Sequence, residues 1–473
     1  MQVAGRKHEI QLLQQLLEKQ QGSFVALYGR RRIGKTYLIR QVYAQQLVFE
    51  CSGLHQRDLK QQLENFWLAL ASADPSRRTL PPKSWLQAFD QLRAYVSSLP
   101  PTGKKVVFLD EIAWFDTPRS GFLAALDSFW NQFCSRRDDI ILVICGSAAS
   151  WIIDKIINDR GGLHNRITMH IRLLPFTLSE TRSFLEMNNV ALTPKDIAHL
   201  YMCVGGIPFY LADLQPGRSV PQLLDDLFFG PQARLRNEYQ NLYAALFKNS
   251  TLHEAVVKAL ATKNRGLTRS EIMSATKLPS GGRLTLTLDE LIACGFVREV
   301  ANLDKSKANV IYQLIDEYTI FYFRFLAGKQ PSSSWQQLVG TSAYKAWTGV
   351  AFESLCLKHT QQIKKSLGIS GIITTEYGWS FAGTDTRKGA QIDLLIDRAD
   401  NCINLFEIKF YDAEFEVTKA YAEQLRQKVT TFKQQTRTRK NVFLTLLTVY
   451  GVVTNAHYLS VVTNQLVLND LFD

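Results

Sequence analysis

Apolar and polar positions along the chain change rhythm three times. In the first stretch, short runs apolar at every position alternate with segments of helical period. "SFVALY" (23–28), "VVFL" within "KKVVFLDEIAWF", and "IILVICG" within "DIILVICGS" read as short apolar strands. "YLIRQVYAQQ" follows the first of them with a helical repeat. Strands alternating with helices predict an α/β fold with a parallel sheet. "GGIPFYL" (205–211) reads as a helix break within a small helical lid.

The middle stretch has a different sequence of elements. "TLHEAVVKALA" is amphipathic, and "LTRSEIMSATKL" opens on Thr268 with Glu271 three residues on, the spacing of a capping box. "RLTLTLDELIACGFVREV" reads as a helix, a stop at Gly295 and a strand. "VIYQLIDEYTIFYFRFL" adds a strand and an aromatic helix whose Tyr318, Phe321, Tyr322 and Phe325 are expected in a core. Three helices followed by two strands around a polar turn form a winged-helix pattern. Its third helix, near Arg283–Cys294, offers Arg283, Thr285 and Thr287 to a DNA groove; a packing or coupling role is the alternative. "GKQPSSSWQQ" (328–337) reads as a linker.

The third stretch begins with a helical pattern carrying Glu353, "SAYKAWTGVAFESLCLKHTQQI". "GIITTEYGWSFA" alternates like a strand. "QIDLLID" and "INLFEIKF" follow as two strands joined by the turn "RADN". Strict alternation places Ile392, Leu394 and Ile396 on one face and Asp393 on the other. It places Phe406, Ile408 and Phe410 on one face and Glu407 with Lys409 on the other. A hairpin would bring Asp393 to Glu407 and Lys409, either as solvated salt partners or as a site.

Composition narrows the class. With 473 residues the chain is too long for one core, and two to four domains are expected. The charged N-terminal segment lacks a signal-peptide core and no apolar run approaches the roughly 20 residues of a membrane span, so a cytoplasmic protein without membrane association is expected. The seven cysteines are scattered, odd in number and never in CxxC spacing, which argues against a disulfide framework and a zinc site. A net charge of +12 makes a polyanion the first partner to test, DNA ahead of RNA.

The densest chemistry lies in "GRRRIGKT", Gly29, Arg30, Arg31, Arg32, Ile33, Gly34, Lys35 and Thr36, between a strand and a helix. This GxxxxGKT spacing lets backbone amides wrap phosphates, Lys35 reach the β- and γ-phosphates, and Thr36 offer its hydroxyl to Mg²⁺. Asp110 stands at the end of a neighbouring strand as a further Mg²⁺ ligand, and Glu111 beside it can polarise an attacking water. Ser147 can sense the γ-phosphate, hold the water, or be a turn residue. Arg166 can reach a neighbouring subunit's phosphates in a homo-oligomer, or be a surface arginine.

Together "AGRKHEI", "GRRRIGKT", "FLDEIAW", "CGSAAS", "NRITMHIRLLPF" and "GGIPFYL" resemble the archaeal-type AAA+/STAND-like P-loop ATPases, also found in bacteria, over about residues 2–240. The resemblance implies ATP and Mg²⁺ as cofactors and ATP hydrolysis as the activity. Where the family often has acids in its first box, this chain has Lys7 and His8. Asp393, Glu407 and Lys409 resemble the PD-(D/E)xK motif of restriction-endonuclease-like nucleases, over roughly 340–473. That resemblance implies metal ligation by Asp393 and Glu407, with Glu353 on the preceding helix, and a lysine that orients water or stabilises the pentavalent charge. It also implies that Tyr421 and Gln424 line the site; Lys428, Lys433, Arg437, Arg439 and Lys440 are candidate phosphate contacts.

The expected architecture is therefore an ATPase core (1–175), a helical lid (176–245), a winged helix (246–327) and a nuclease-like α/β domain (338–473). The expected function couples an ATP-driven switch to a Mg²⁺-dependent DNA endonuclease. The alternative is a non-cleaving, ATP-gated DNA-binding regulator. A small-molecule kinase leaves the C-terminal half unexplained.

Overall fold

The computed structural model describes residues 3–76, 80–147, 149–158, 165–247, 250–278, 281–300, 310–328, 334–383 and 389–473. The chain divides into two compact units. The first runs to Pro175 and takes in Asp289–Gly295; the second begins at Phe176 and holds most of the remainder, to Asp473. Among the described residues, no helix is long and apolar enough to cross a membrane.

The first unit is an α/β fold. In chain order it contains α1 (Lys7–Glu18), β1 (Ser23–Tyr28), α2 (Lys35–Val42), β2 (Leu47–Ser52), α3 (Leu59–Ala73), α4 (Trp85–Ser98), β3 (Lys105–Asp110), α5 (Phe122–Gln132), β4 (Ile140–Gly146), α6 (Ala149–Ile152) and β5 (Met169–Arg172). The sheet is wholly parallel in the order β2-β3-β4-β1-β5. Every residue of β1, β3 and β4 is buried, which is why their sequences carry no alternation. The register sets Leu27 beside Cys145 and Leu109 beside Ile144, so the carboxyl ends of β1, β3 and β4 share one edge. Ligands of open parallel sheets bind at such an edge.

The second unit opens with helices α7 (Leu178–Met187), α8 (Pro194–Val204), α9 (Pro208–Leu211), α10 (Val220–Leu224), α11 (Glu238–Ala244) and α12 (Ser250–Leu260). Next come β6 (Leu267–Thr268), α13 (Arg269–Thr276), α14 (Gly282–Ala293), β7 (Val297–Val300), β8 (Ile311–Leu314) and α15 (Glu317–Phe321). The strands β6-β8-β7 pair antiparallel, and Thr268 caps α13 reciprocally with Glu271 as its spacing predicts. Such a cap contributes about 1 kcal/mol.

Then come α16 (Ser342–Lys358), α17 (Thr360–Ser366), β9 (Thr374–Phe381), β10 (Ala390–Arg398), β11 (Cys402–Lys409), α18 (Lys419–Thr436), β12 (Asn441–Thr448), α19 (Ala456–Leu459) and β13 (Asn464–Val467). These strands form a mixed sheet in the order β13-β12-β11-β10-β9, antiparallel from β9 to β11 and parallel from β11 to β13. Helix α18 covers one face, where Leu425 and Phe432 join Ile392, Leu395, Ile403, Leu405 and Leu444.

Two expectations change here. The β9–β10 register slips between Ile392 and Leu395, and those two residues share one core cluster. The bulge thus breaks the alternation that grouped Ile392 with Leu394 and Ile396. Of the segment read as a linker, residues 329–333 lie outside those described; its Trp335 is fully buried, its ring contacts Phe229, Phe321, Phe325, Tyr344 and Trp347, and its amide donates to Asp225. Of the predicted aromatic stripe, Tyr318, Phe321 and Phe325 are buried in the same core, and Tyr322 is half-buried.

Candidate functional site

The loop between β1 and α2 turns through positive φ at Gly29, Arg32 and Gly34, curling its amides inward. Ile33 is buried and anchors the loop, while Arg31 is exposed. Lys35 is buried, and its Nζ donates to the carbonyls of Gly29 (3.0 Å) and Arg30 (2.9 Å). The Thr36 hydroxyl donates to Asp110 Oδ2 at 2.6 Å, and Asp110 Oδ1 accepts the Glu111 amide at 2.8 Å.

Glu111 lies in the left-handed region (φ 46, ψ 47), a conformation costing roughly 1–2 kcal/mol for a residue with a Cβ. Its carboxylate Oε2 accepts both the Ser147 hydroxyl (2.8 Å) and the Ser147 amide (3.2 Å). The segment after β2 braces this turn. The Gly53 amide donates to the Asp110 carbonyl at 2.9 Å, and a Cβ at Gly53 would lie 2.6 Å from the Glu111 carbonyl oxygen and 2.9 Å from Trp114 Cβ. Sequence reasoning missed Gly53; a glycine directly after the strand "LVFECS" at the ligand edge was the available signal.

A second constellation lies where β10 and β11 pair. Leu394 stands opposite Phe406, which brings Asp393 and Glu407 alongside each other, and Asp393 Oδ2 accepts the Ile408 amide at 3.2 Å. Glu407 is buried, not wet. Its Oε1 meets Lys409 Nζ (2.8 Å) and the Tyr421 hydroxyl (2.6 Å), and its Oε2 meets Lys428 Nζ (2.6 Å). Burial pushes Glu407 up, but Lys409 and Lys428 outweigh it and hold the carboxyl below its usual range. Glu353 is pushed up to about 8, by burial first and then by the charge of Asp393. Burial and then Glu407 push Asp393 up to about 6. Two carboxyls driven toward their protonated forms beside a lysine-held third mark a site of concentrated negative charge.

Residues 4–214 match the family described as an ATPase domain predominantly from Archaea. Over these residues the chain resembles an archaeal-type P-loop ATPase domain. Over 438 residues the chain is 22% identical to an uncharacterized protein of Methanocaldococcus jannaschii, which covers 89% of this chain and 90% of that protein. Among solved structures, the Walker-type ATPase of Pyrococcus abyssi is similar over 68% of this chain and 96% of its own, at 19% identity and TM-score 0.49. The ORC2 protein of Aeropyrum pernix is similar over 66% and 90%, at 14% identity and TM-score 0.34.

In the ATPase domain the donor set fits Mg-nucleotide. Thr36 and Asp110 supply hard oxygens in mutual contact, the ligands Mg²⁺ prefers. The loop amides of Gly29–Thr36 and Lys35 would hold the phosphates. Ser147, a candidate for the γ-phosphate, the water or a plain turn, donates its hydroxyl and amide to Glu111 at the turn after β4. Arg166 is exposed in the turn before β5.

In the second unit, Glu353, Asp393 and Glu407 act on one another electrostatically. As the side chains stand, no three metal-ligating residues among those described form a group able to hold an ion. Lys428 and Lys440, candidate phosphate contacts, are each paired as they stand: Lys428 with Glu407 and Lys440 with Asp397 at 2.5 Å. Lys433, Arg437, Arg439 and Gln424 are exposed. Of the three groove contacts expected on α14, Thr287 is buried and donates to the Arg283 carbonyl, and the Thr285 hydroxyl accepts from Arg269; Arg283 is exposed.

Proposed function

We propose that the chain is an ATP-hydrolysing switch whose second unit carries a phosphodiester-cleaving site for DNA, built from Asp393, Glu407 and Lys409 with Glu353 contributed by α16. The single observation carrying this reading is that two strands and two helices bring three carboxylates and two lysines into one electrostatic cluster. The winged-helix reading of 246–327, an oligomer with Arg166 at a neighbour's phosphates, and Mg²⁺ as the ion both sites use belong to the same proposal.

In the ATPase domain, Lys35 and the loop amides bind the phosphates and Glu111 orients the water, its carboxylate held in place by Ser147. Bound Mg²⁺ would neutralise developing charge between Thr36 and Asp110. In the second unit, Lys409 and Lys428 supply positive charge toward a phosphate, and Tyr421 fixes the Glu407 rotamer. Glu407 has both oxygens engaged as it stands, so Mg²⁺ would enter there only with Lys428 displaced.

One observation favours the second reading, a non-cleaving ATP-gated DNA-binding regulator. Lysines on both oxygens of Glu407 neutralise the carboxylate that a nuclease would present to a metal. The deciding experiment incubates the protein with plasmid DNA and Mg²⁺, with and without ATP, beside Asp393→Ala and Lys35→Ala. Cleavage lost in Asp393→Ala with DNA binding retained supports the nuclease. Hydrolysis of ATP by the wild type but not by Lys35→Ala, without cleavage under any condition, transfers the assignment to the regulator.

A further inference from the structure

Helix α16 carries Glu353 toward the carboxylate cluster, and its ring contact Phe352–Phe410 (5.2 Å) seats it on the end of β11. Its C-terminal end is tied elsewhere by two adjacent residues. His359 Nε2 accepts the buried amide of Leu178, the first residue of α7, at 3.0 Å, while Nδ1 faces the Leu355 carbonyl at 2.8 Å. With its proton on Nδ1 the imidazole donates to Leu355 and caps α7, satisfying one of the amides that a helix N-terminus leaves unpaired. Lys358 Nζ pairs with Glu317 Oε1 at 2.6 Å. Glu317 in turn lies against Gly205, where its Oε2 is 2.8 Å from the position of a Cβ.

The segment gripped by His359 is itself tightly knit. The Phe176 amide donates to the Gly206 carbonyl (2.7 Å), and the Phe176 carbonyl accepts the Tyr201 hydroxyl (2.8 Å). A Cβ at Gly206 would stand 2.0 Å from the Phe176 carbonyl oxygen, so no other residue fits. The Tyr201 ring packs edge-on against His359 at 5.6 Å. Phe176 is also the first residue of the second unit, joined by one peptide bond to Pro175 of the first.

From this geometry we infer that α16 is a lever and His359 its positioning residue. His359 locks α16 to α7, and Lys358 ties it to Glu317 of α15, which lies against Gly205, so that a displacement of α7 is carried about 9 Å along the helix to Glu353. The nucleotide state of the ATPase domain then reaches the carboxylate cluster through the chain at Pro175–Phe176 and through α16. This takes from the proposed function only that the cluster is the output site.

The test is hydrogen exchange, read by mass spectrometry on the full chain with and without Mg²⁺–adenylyl imidodiphosphate. In the wild type, nucleotide is expected to change exchange in peptides from both α7 and α16. His359→Leu removes the acceptor for the Leu178 amide; the change is expected to persist in α7 and be lost in α16. His359→Gln places an oxygen where Nε2 stands and is expected to restore it. Lys358→Met serves as a second variant if His359→Leu does not fold. The inference is overturned if wild-type α16 does not respond to nucleotide, or if the response survives both His359→Leu and Lys358→Met. Failure of His359→Gln to restore the response overturns the role given to the Nε2 acceptor. Because the readout needs no DNA, a missing nuclease leaves this result intact. Asp393-dependent cleavage without the exchange link removes the lever alone.

Discussion

Glu353→Gln offers a quantitative test of the cluster. Burial and Asp393 raise the Glu353 carboxyl from its usual 4.5 to about 8. The folded chain therefore keeps a proton that the unfolded chain has released. The stability this contributes is complete below pH 4.5 and is lost as pH rises through about 8. Each pH unit in that interval costs about 1.4 kcal/mol, which caps the total at about 5 kcal/mol. Glutamine never ionises and escapes the loss. Two buried histidines, His199 and His359, are lowered to about 4, so their stability is present above pH 6.5 and is lost only toward acid. Asp393, raised to about 6, is roughly three-quarters ionised at pH 6.5 and adds little above it. Between pH 6.5 and 8.5 Glu353 thus provides the slope, and the advantage of the variant should grow by about 2 kcal/mol. Pulse-labelled hydrogen exchange on peptides from 390–409 across a urea series isolates the unit concerned. An advantage that is constant with pH, or that shrinks toward alkaline pH, would refute the placement of Glu353 beside Asp393.

Two further substitutions probe the supports of each site. Gly53→Ala forces a Cβ against the Glu111 carbonyl and Trp114, and should lower kcat for ATP hydrolysis at least tenfold, about 1.4 kcal/mol, while nucleotide affinity stays near wild type; unchanged turnover would show that the turn can shift at no cost. Trp335→Ala empties a fully buried aromatic site and should cost about 3–5 kcal/mol, seen as a fall of roughly 10 °C in the unfolding midpoint of the second unit. A fall of only a degree or two would restore the linker reading of that segment.

What could be read from the sequence was local. The strand, loop and helix around Lys35 lie within 23–42, and the capping box at Thr268 spans four residues, so spacing alone defined them. Glu407 and Lys409 share a face by strand alternation, which held on β11 because no bulge interrupts it there. On β10 the same rule failed at a register slip that depends on the neighbouring strand. Trp335 was read as linker because its serine-rich neighbours are local, whereas the ring's partners come from four separate segments of the second unit. The Leu178–His359 bond spans 181 residues and Glu407–Lys428 spans 21; neither has a spacing that any periodicity would mark.

That distinction bears on the choice between cleaving and binding. The motif residues Asp393, Glu407 and Lys409 argue for catalysis, and they are the locally legible part. Lys428, which α18 delivers from outside the motif, engages the second oxygen of Glu407 and points the other way. A lysine held on a buried carboxylate is stable only while nothing of higher charge competes for it, since removing either partner leaves an uncompensated charge. The same contact can therefore be a permanent neutralising pair or a resting position that a divalent ion displaces. Which of these applies turns on whether α16 and Glu353 can move against β11, the motion that the His359 variants report.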